Sequence, residues 1–435
     1  MFSLGNGWCF YSEQLLIARS GCDVHNISNI PDTDSPSIGK PTFGTTAKLR
    51  IDRLGICPTN NCNLRCVYCS GSSREGSTDY DYDDFMSAIG EFFVHWVADH
   101  ILDDPTNNPF QIVVSGGGEP TYDWNRFEHM IKDIKHNADI AEVPLKISLT
   151  TNGMIEDESH LGFIAKNFDN ILISYDGLHE IQNANRISPY YDDPATIVEH
   201  TISYLSKIKK ISIRSTVWPE NLPRLQEMID NLHSLCGGLN NIEWSLCPVA
   251  PVGRGAVHMS GRESFNYSFF RYYHSLMEYS HNKYEFDRIS SPLFVLKPID
   301  TFCGAFGFDV RSAWICSDGR IVSCLDYINM DEIAHVDSGK VMFNENYDDV
   351  ILRKYQETYE SCKVCIAYRF CKGGCPAKHL NSLNPYDSVR RWECESNVEL
   401  WHHILNELCK NKESYGWYAE QSHNNPNVLL MKRRE

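Results

Sequence analysis

The stretch Cys62-Asn63-Leu64-Arg65-Cys66-Val67-Tyr68-Cys69 places three cysteines in one short loop, directly after a candidate β-strand at 49–56. Three thiolates from one loop can hold three irons of a [4Fe–4S] cube and leave the fourth iron open to a small ligand. A zinc-binding loop is the alternative for this motif alone, because zinc also takes closely spaced thiolates. In either case, the sequence predicts a metal centre at the end of the first strand.

Outward from this loop, β-rich runs alternate with stretches of helical length over residues 49–250. The strand candidates are 49–56, 111–115, 146–150, 170–174, 210–217 and 242–247. The helical candidates between them are 83–100, 124–135, 158–166, 195–208 and 222–235. Alternation of this kind predicts parallel βαβ units. About six such units indicate an α/β barrel or partial barrel, whose chemistry lies at the carboxyl ends of the strands.

Short polar motifs fall at the ends of the next three strands. The second strand is followed by Ser115-Gly116-Gly117-Gly118-Glu119-Pro120, in which the glycines would let a ligand approach the backbone. The third ends in Thr151-Asn152-Gly153, and the fourth in Ser174-Tyr175-Asp176-Gly177, with the stretch 181–186 after it. A glycine run by itself is equally typical of a tight turn, so the order of the motifs matters more than any one of them.

In this order the motifs resemble the radical S-adenosylmethionine (SAM) superfamily, and the resemblance implies a partial (βα)6 TIM-like barrel. It also implies that Cys62, Cys66 and Cys69 hold a [4Fe–4S] cluster whose open iron binds SAM. In this family the aromatic residue before the last cysteine, here Tyr68, lies near the adenine of SAM. The further residues that the resemblance assigns to SAM binding are Gly117, Gly118, Glu119, Asn152, Ser174 and Arg186.

The bulk composition limits the possible partners and compartment. The chain has 17 cysteines among 435 residues, and an odd count without an export signal argues for soft-metal chemistry against a disulfide framework. The formal net charge of −17 repels phosphate backbones, so we expect no nucleic-acid partner. No apolar run is long enough to cross a bilayer, and the start of the chain lacks the features of a signal peptide. We therefore expect a soluble, cytoplasmic protein without a membrane partner.

A second group of cysteines lies beyond residue 300 and has a long, specific spacing. Its members are Cys303, Cys324, Cys362, Cys365, Cys371, Cys375 and Cys394. The pattern resembles the SPASM domain, which carries two auxiliary clusters in radical SAM enzymes that mature peptides, sulfatases and cofactor precursors. The resemblance implies that Cys303, Cys324 and Cys375 hold auxiliary cluster I and that the other four hold auxiliary cluster II, for three [4Fe–4S] clusters in all. Two zinc knuckles are the alternative.

Auxiliary cluster I lacks an obvious fourth ligand. Sulfatase-maturing members have a further cysteine where this chain has Asp309, so Cys316, Asp309 or the substrate could complete the site. Thiolate is the softer ligand for iron, and on this ground we favour Cys316. Because Cys316 precedes a turn at 317–319, a plain structural role is the alternative for it. The same enzymes place an aspartate base directly after the second SPASM cysteine, where this chain has Leu325. Asp326 is then the candidate catalytic base, although a shift of one residue in a strand turns the side chain to the other face.

The sequence divides into five parts. They are an N-terminal extension at 1–48, a radical SAM core at 49–250, a bridging segment at 251–300, a SPASM domain at 301–395, and a C-terminal helix and tail at 396–435. Helices are expected at 260–281 in the bridging segment and at 397–410 in the last part. The cysteine-dense fourth part is typical of a small domain that metal holds together.

The resemblance implies an enzyme in which a flavodoxin- or ferredoxin-like donor reduces the first cluster and SAM is cleaved to a 5′-deoxyadenosyl radical, which takes hydrogen from the substrate. We expect a ribosomally made precursor peptide as the substrate and a side-chain cross-link, through a C–C, ether or thioether bond, as the product. The alternative enzyme is an anaerobic sulfatase maturase that forms formylglycine. The alternative of another class is a non-enzymatic iron–sulfur or zinc protein that acts as a scaffold or in electron transfer.

Overall fold

The structure, a computed structural model, describes residues 2–4, 8–11, 15–18, 51, 53–69, 79–100, 109–249, 254, 265–291, 312–322 and 332–344. The three cysteines of the first motif and Cys316 belong to the described residues. The predicted site residues that lie outside them are Cys303, Asp309, Cys324, Asp326, Cys362, Cys365, Cys371, Cys375 and Cys394. The helix predicted at 397–410 also lies outside the described residues.

Six parallel strands form the centre of the molecule, after a small antiparallel sheet of β1 (Phe2–Leu4), β2 (Trp8–Tyr11) and β3 (Leu15–Ala18) near the start of the chain. The six strands are β4 (Arg53–Ile56), β5 (Phe110–Val114), β6 (Leu145–Thr151), β7 (Asn170–Ser174), β8 (Ile211–Val217) and β9 (Ile242–Pro248). The helices that connect them are α1 (Tyr82–His100), α2 (Trp124–Ile140), α3 (Glu158–Asn167), α4 (His179–Asn185), α5 (Pro194–Ile208) and α6 (Leu225–Cys236). The expected α/β fold with a parallel sheet is confirmed.

The large sheet continues beyond these six strands on both sides. Helix α7 (Phe265–Tyr284) leads to β10 (Ile289–Ser290), and a meander follows of β11 (Ser312–Ile315), β12 (Arg320–Val322), β13 (Ala334–Asp337) and β14 (Lys340–Phe343). The strand order is β10-β9-β8-β7-β6-β5-β4-β11-β12-β13-β14, with β10 parallel to β9 and β11 parallel to β4. Among the described strands, the edge strands β10 and β14 do not pair with each other.

Helices α2, α3, α5 and α6 each bury apolar residues of one face in the core. Helix α2 begins after Asp123, whose side chain accepts a hydrogen bond from the Arg126 N–H and so satisfies a free donor of the first turn. Its buried residues recur at helical spacing and are Phe127, Met130, Ile131, Ile134 and Ala138. Helix α5 begins in the same manner, with Asp193 as the N-cap and Pro194 in its first turn.

The meander pairs with the parallel strands at β4, beside the cysteine loop. Ile315 lies opposite Ile56, and the Cys57 N–H donates to the Ile315 carbonyl oxygen at 2.9 Å. Gly55 leaves the room for this contact, because a Cβ at that position would overlap the indole ring of Trp314. The strand β11 therefore extends the parallel array on the side of β4.

Most of the predicted elements agree with the structure, with a few differences. The helix expected at 260–281 runs from Phe265 to Tyr284, and the stretch expected as a helix at 222–235 is a 3₁₀ turn (Leu222–Arg224) followed by α6. Helix α4 was not predicted; it has no side-chain N-cap and is only seven residues long. None of the helices in the described part of the chain is long and apolar enough to span a membrane.

Candidate functional site

The three cysteines of the first motif lie in the loop that follows β4, at the carboxyl edge of the parallel sheet. Cys62 is buried, whereas Cys66 and Cys69 are half-buried. Burial raises the pKa of the Cys66 thiol to about 12; the Arg186 guanidinium opposes this effect, and the neighbouring Cys62 and Cys69 thiols reinforce it. A thiol whose pKa is raised in this way ionises readily only beside a positive centre, so Cys66 is suited to a site where metal ions bind.

The cysteine loop is held by the segment that follows α4. The Arg65 N–H donates to the Ile187 carbonyl at 2.7 Å, and the Val67 N–H donates to the Asn185 carbonyl at 2.9 Å. The Ser188 hydroxyl in turn donates to the Asn63 carbonyl at 3.2 Å. These three hydrogen bonds hold the cysteine loop to the rest of the chain.

The glycine motif after β5 packs against the backbone just before the cysteine loop. The Gly118 N–H donates to the Thr59 carbonyl at 3.1 Å, and the Glu119 N–H donates to the Asn61 carbonyl at 2.8 Å. A Cβ on Gly118 would overlap the Asn61 carbonyl oxygen and the Asn60 backbone. Because glycine has no side chain, Gly118 lies in close contact with the backbone of Asn60 and Asn61. Its contact with SAM stays a prediction.

The Glu119 carboxylate is buried and accepts four hydrogen bonds from the chain. Its Oε1 atom accepts from the Thr121 N–H at 3.2 Å, from the Thr121 hydroxyl at 2.8 Å and from the Thr151 hydroxyl at 2.7 Å. Its Oε2 atom accepts from the Asn152 N–H at 2.7 Å. Burial raises the pKa of Glu119, and these hydrogen bonds oppose the rise. Because a carboxylate offers about four acceptor sites, Glu119 ties the end of β5 to the end of β6.

Asp176, at the end of β7, is a site residue that the sequence analysis did not single out. Its fully buried carboxylate accepts from the Tyr68 hydroxyl at 2.5 Å and from the Asn185 amide at 3.3 Å through Oδ2. Through Oδ1 it accepts from the Arg186 guanidinium at 3.2 Å and from the Thr216 N–H at 3.1 Å. One carboxylate therefore joins the cysteine loop, β7, β8 and α4. Asp176 lies within the motif at 174–177, but the motif gave no signal for these pairings, since they depend on the fold.

Tyr68 and Arg186, both predicted SAM residues, meet at this carboxylate. The Arg186 guanidinium carbon lies 5.3 Å from the centre of the Tyr68 ring, and the Trp218 ring centre lies 5.4 Å from it on another side. Burial raises the pKa of the Tyr68 hydroxyl well above its ordinary value, which keeps it a hydrogen-bond donor to Asp176. The hydrogen bond to Asp176 thus orients the Tyr68 ring, and Arg186 and Trp218 lie close to the ring.

Two buried donors at this site have no hydrogen-bond partner among the described residues. They are the Nε atom of Arg186 and the amide nitrogen of Gln182. Gln182 lies in α4, and Arg186 is the residue directly after this helix. The Gln182 Oε1 atom accepts from the Asp176 N–H at 2.9 Å, so the amide nitrogen faces away from that bond. Buried donors without acceptors are costly, and an anionic or carbonyl-bearing ligand such as SAM would satisfy them. Ser174, the last residue of β7, is half-buried at the same edge.

Cys316 lies apart from the first cysteine motif, after β11, and is packed beside Cys57. Both thiols are buried, and burial is the main cause that raises their pKa, to about 12 for Cys316. The Gly117 N–H is hydrogen-bonded to the Cys57 thiol. The other predicted ligands of auxiliary cluster I lie outside the described residues, so the role of Cys316 stays a prediction.

Comparisons with known proteins give the same outline as this geometry. Residues 56–232 match the model of the Radical SAM superfamily. A cysteine-type anaerobic sulfatase-maturating enzyme from Clostridium perfringens is 23% identical over 335 residues, which cover 73% of this chain and 86% of the enzyme. Its counterpart from a second strain is 23% identical over 374 residues, or 80% of this chain and 95% of the enzyme.

Solved structures share the fold at low identity. The structure of anSMEcpe with bound AdoMet has a TM-score of 0.62 and 20% identity, and the match covers 83% of this chain and 99% of that one. The structure of Streptococcus suis SuiB bound to precursor peptide SuiA has a TM-score of 0.57 and 16% identity, and the match covers 79% and 76% of the two chains.

Proposed function

From the premise that this chain is a radical SAM enzyme, with its radical SAM domain at residues 56–232, we propose that it modifies a ribosomally made precursor peptide. The product is a cross-link between side chains through a C–C, ether or thioether bond. SAM and one [4Fe–4S] cluster are the cofactors of such a domain. When bound, they supply a 5′-deoxyadenosyl radical that removes a hydrogen atom from an unactivated carbon.

The observation that carries the assignment of the cofactor site is the junction at Asp176. It brings the loop of Cys62, Cys66 and Cys69 together with Tyr68 and Arg186 at one edge of the sheet. The three thiols would hold the cluster, and Tyr68 would face the adenine of SAM. Arg186, with a free buried Nε, would meet the SAM carboxylate or ribose. The chain's own contribution is to bind and orient the cofactor and to exclude water around it.

A peptide substrate is supported by the relatives. The solved structures of similar fold include anSMEcpe with the Cp18Cys peptide and SuiB with precursor peptide SuiA. The negative net charge of this chain suits a neutral or basic peptide. A flavodoxin- or ferredoxin-like protein would supply the electron, and the cytoplasm is the expected compartment.

The second candidate is an anaerobic sulfatase maturase, which the sequence relatives from Clostridium perfringens favour. In such enzymes an aspartate base follows the second SPASM cysteine, but here Leu325 holds that position and Asp326 comes one residue later. We therefore place this candidate behind the peptide cross-linking enzyme.

The proposal includes two auxiliary clusters, held by the seven cysteines of the SPASM pattern. Cys316 is proposed as the fourth ligand of auxiliary cluster I on the strength of its soft thiolate. In this arrangement the auxiliary clusters accept or relay the electron that is left after the new bond forms.

The test is anaerobic reaction of the reduced enzyme and SAM with candidate peptides, followed by mass spectrometry. A short precursor peptide that loses two hydrogens per turnover supports cross-linking. A sulfatase peptide whose Ser or Cys becomes formylglycine would instead support the second candidate. SAM cleavage without modification of either class of peptide would contradict the proposed substrate while leaving the family unchanged.

A further inference from the structure

We propose that the Asn152 side chain donates a hydrogen bond to the sulfur of Cys62 and thereby raises the reduction potential of the cluster that Cys62 holds. This role goes beyond the contact with SAM expected for Asn152. The inference rests on the cluster at Cys62, Cys66 and Cys69, and it does not depend on the peptide substrate proposed above.

The geometry around the amide of Asn152 fixes which of its ends faces the cluster loop. The Oδ1 atom accepts from the Met154 N–H at 2.9 Å, which defines it as the oxygen. The Nδ2 atom therefore lies on the other side, 2.7 Å from the Asn63 Oδ1 atom and 3.9 Å from the Cys62 Sγ atom. With two hydrogens on this nitrogen, one reaches Asn63 and the other points to the sulfur.

The backbone of Asn152 is held as firmly as its side chain. Its N–H donates to Glu119 Oε2 at 2.7 Å, and Glu119 is itself fixed by Thr151 and Thr121. Asn152 and Cys62 are both 8% exposed, so water competes little for this contact. Glu119, after β5, contacts Asn152, after β6, and Asn152 contacts Cys62 in the cluster loop. The three residues thus form a buried chain of contacts.

The effect on potential follows from charge. Reduction adds an electron to the cluster, so the thiolate sulfurs become stronger hydrogen-bond acceptors and N–H donors stabilise the reduced form. Such contacts to ligand atoms tune metal sites from outside the coordination shell. Cys62 also accepts from the Leu64 N–H at 3.4 Å, a backbone donor that substitution at Asn152 leaves in place. The Asn152 contact is long, so its contribution should be a fraction of the whole.

The variant that isolates this donor is Asn152→Asp. It keeps an oxygen for the Met154 N–H and a similar volume, but it replaces the Nδ2 donor by an acceptor. The matched control is Asn63→Asp, which adds the same charge beside Cys62 and keeps an acceptor for the Asn152 amide. The readout is the midpoint potential of the cluster without SAM, followed by electron paramagnetic resonance during a redox titration in the full-length protein.

We expect the potential to become more negative in Asn152→Asp, by up to a tenfold change in the one-electron reduction equilibrium or about 59 mV. The shift in Asn63→Asp should be clearly smaller. Equal shifts in both variants would mean that charge alone acts, and an unchanged potential in Asn152→Asp would also overturn the inference. A wild-type protein that binds no iron would instead contradict the family assignment.

A second measurement applies if Asn152→Asp fails to assemble a cluster. Wild-type protein with ¹⁵N-labelled asparagine amides should show a weakly coupled ¹⁵N nucleus in pulsed spectra of the reduced cluster, and this coupling should persist in Asn63→Asp. A wild-type spectrum without any coupled asparagine nitrogen, or loss of the coupling in Asn63→Asp, would overturn the inference.

Discussion

At the scale of single residues, the buried carboxylate of Asp176 joins the residues of the proposed cofactor site. It accepts hydrogen bonds from Tyr68, Asn185, Arg186 and Thr216, which come from separate parts of the chain. The motifs predicted that Tyr68 and Arg186 serve one ligand, but no motif indicated that Asp176 joins them. A pairing between residues 108 positions apart follows from the folded strand order, and spacing in the sequence does not contain it.

The Tyr68 hydroxyl should contribute to SAM affinity through its bond to Asp176. Tyr68→Phe keeps the ring but removes a hydrogen bond to a carboxylate, which is worth about 1.5–3 kcal/mol. Because this bond exists without SAM, only its part in orienting the ring acts on binding, and we expect the dissociation constant of SAM to rise by up to about tenfold. Equilibrium binding to the reconstituted protein would measure this change. Tyr191→Phe, which removes an exposed hydroxyl bond to Glu156, is the matched control and should leave the affinity unchanged.

Asp176→Asn should affect stability more than Tyr68→Phe does. The substitution leaves the buried guanidinium of Arg186 without its charge partner, and loss of one member of a buried ion pair costs about 3–5 kcal/mol. Chemical unfolding of the metal-free protein would measure this loss. A free energy of unfolding within error of the wild-type value would show that Arg186 finds another partner.

Gly118 tests the packing of the glycine motif on the cysteine loop. In Gly118→Ala the new methyl group would overlap the backbone of Asn60 and Asn61, so the loop must move and the iron content should fall. Gly162→Ala in α3 meets no atom within 4 Å and should gain up to about 1 kcal/mol of helix stability with full iron content. Equal iron in both variants would contradict the close contact.

At the scale of elements, α4 connects the proposed cofactor site to α5 and its N-cap residue. His179, its first residue, lies 3.0 Å from a carboxylate oxygen of Glu199 and 3.0 Å from one of Asp193. The hydrogen bond to Glu199 is the main cause that raises the pKa of His179, and Asp193 and Glu180 add to it. A histidine whose pKa is raised in the folded state binds its proton more tightly when folded.

The stabilisation from His179 should therefore depend on pH in a defined direction. It is fully present below the unfolded pKa, about 6.5, and it is lost as the pH rises through the higher folded value. His179→Gln should lower the urea midpoint more at about pH 6 than at about pH 9. His200→Gln, which removes a histidine whose Nε2 atom lies 3.5 Å from Glu158, is the matched control for the loss of an imidazole near a carboxylate. A loss of stability in His179→Gln that is the same at both pH values would contradict this role of His179.

The predicted elements show which strands and helices the hydrophobic pattern of a sequence can predict and which it cannot. The strand candidates agree with β5 to β9 within one residue at each end, because apolar runs of this length between turn signals are distinctive. Helix α4 was missed because it is short and lacks a capping side chain. The parallel pairing of β11 with β4 joins segments more than 250 residues apart, and a local pattern holds no information about such a contact.

At the scale of the whole molecule, the chain combines a segment that matches the Radical SAM superfamily, residues 56–232, with a cysteine-rich region. With the two proposed auxiliary clusters, anaerobic reconstitution should give about twelve irons per chain. The triple variant of Cys62, Cys66 and Cys69 to Ala should lose about four of them. An iron content of about four in the wild-type protein would contradict the two auxiliary clusters while keeping the first.

Cys365→Ala should separate the auxiliary clusters from SAM cleavage. The residue belongs to the ligand set proposed for auxiliary cluster II, so the variant should retain uncoupled SAM cleavage but lose the modified peptide. It should also be less stable, because metal ligation supports folding in a small cysteine-rich domain. Wild-type yield of modified peptide from this variant would show that auxiliary cluster II is dispensable.

Reductive cleavage of SAM tests the central assignment most directly. The reconstituted protein, reduced anaerobically in the presence of SAM, should release 5′-deoxyadenosine and methionine in equal amounts, as measured by liquid chromatography and mass spectrometry. The Cys62, Cys66 and Cys69 triple variant should release neither, whereas Cys236→Ala, a change at a half-buried cysteine away from the cluster loop, should behave as the wild type does. A protein that binds zinc in stoichiometric amount and yields no 5′-deoxyadenosine would contradict the account.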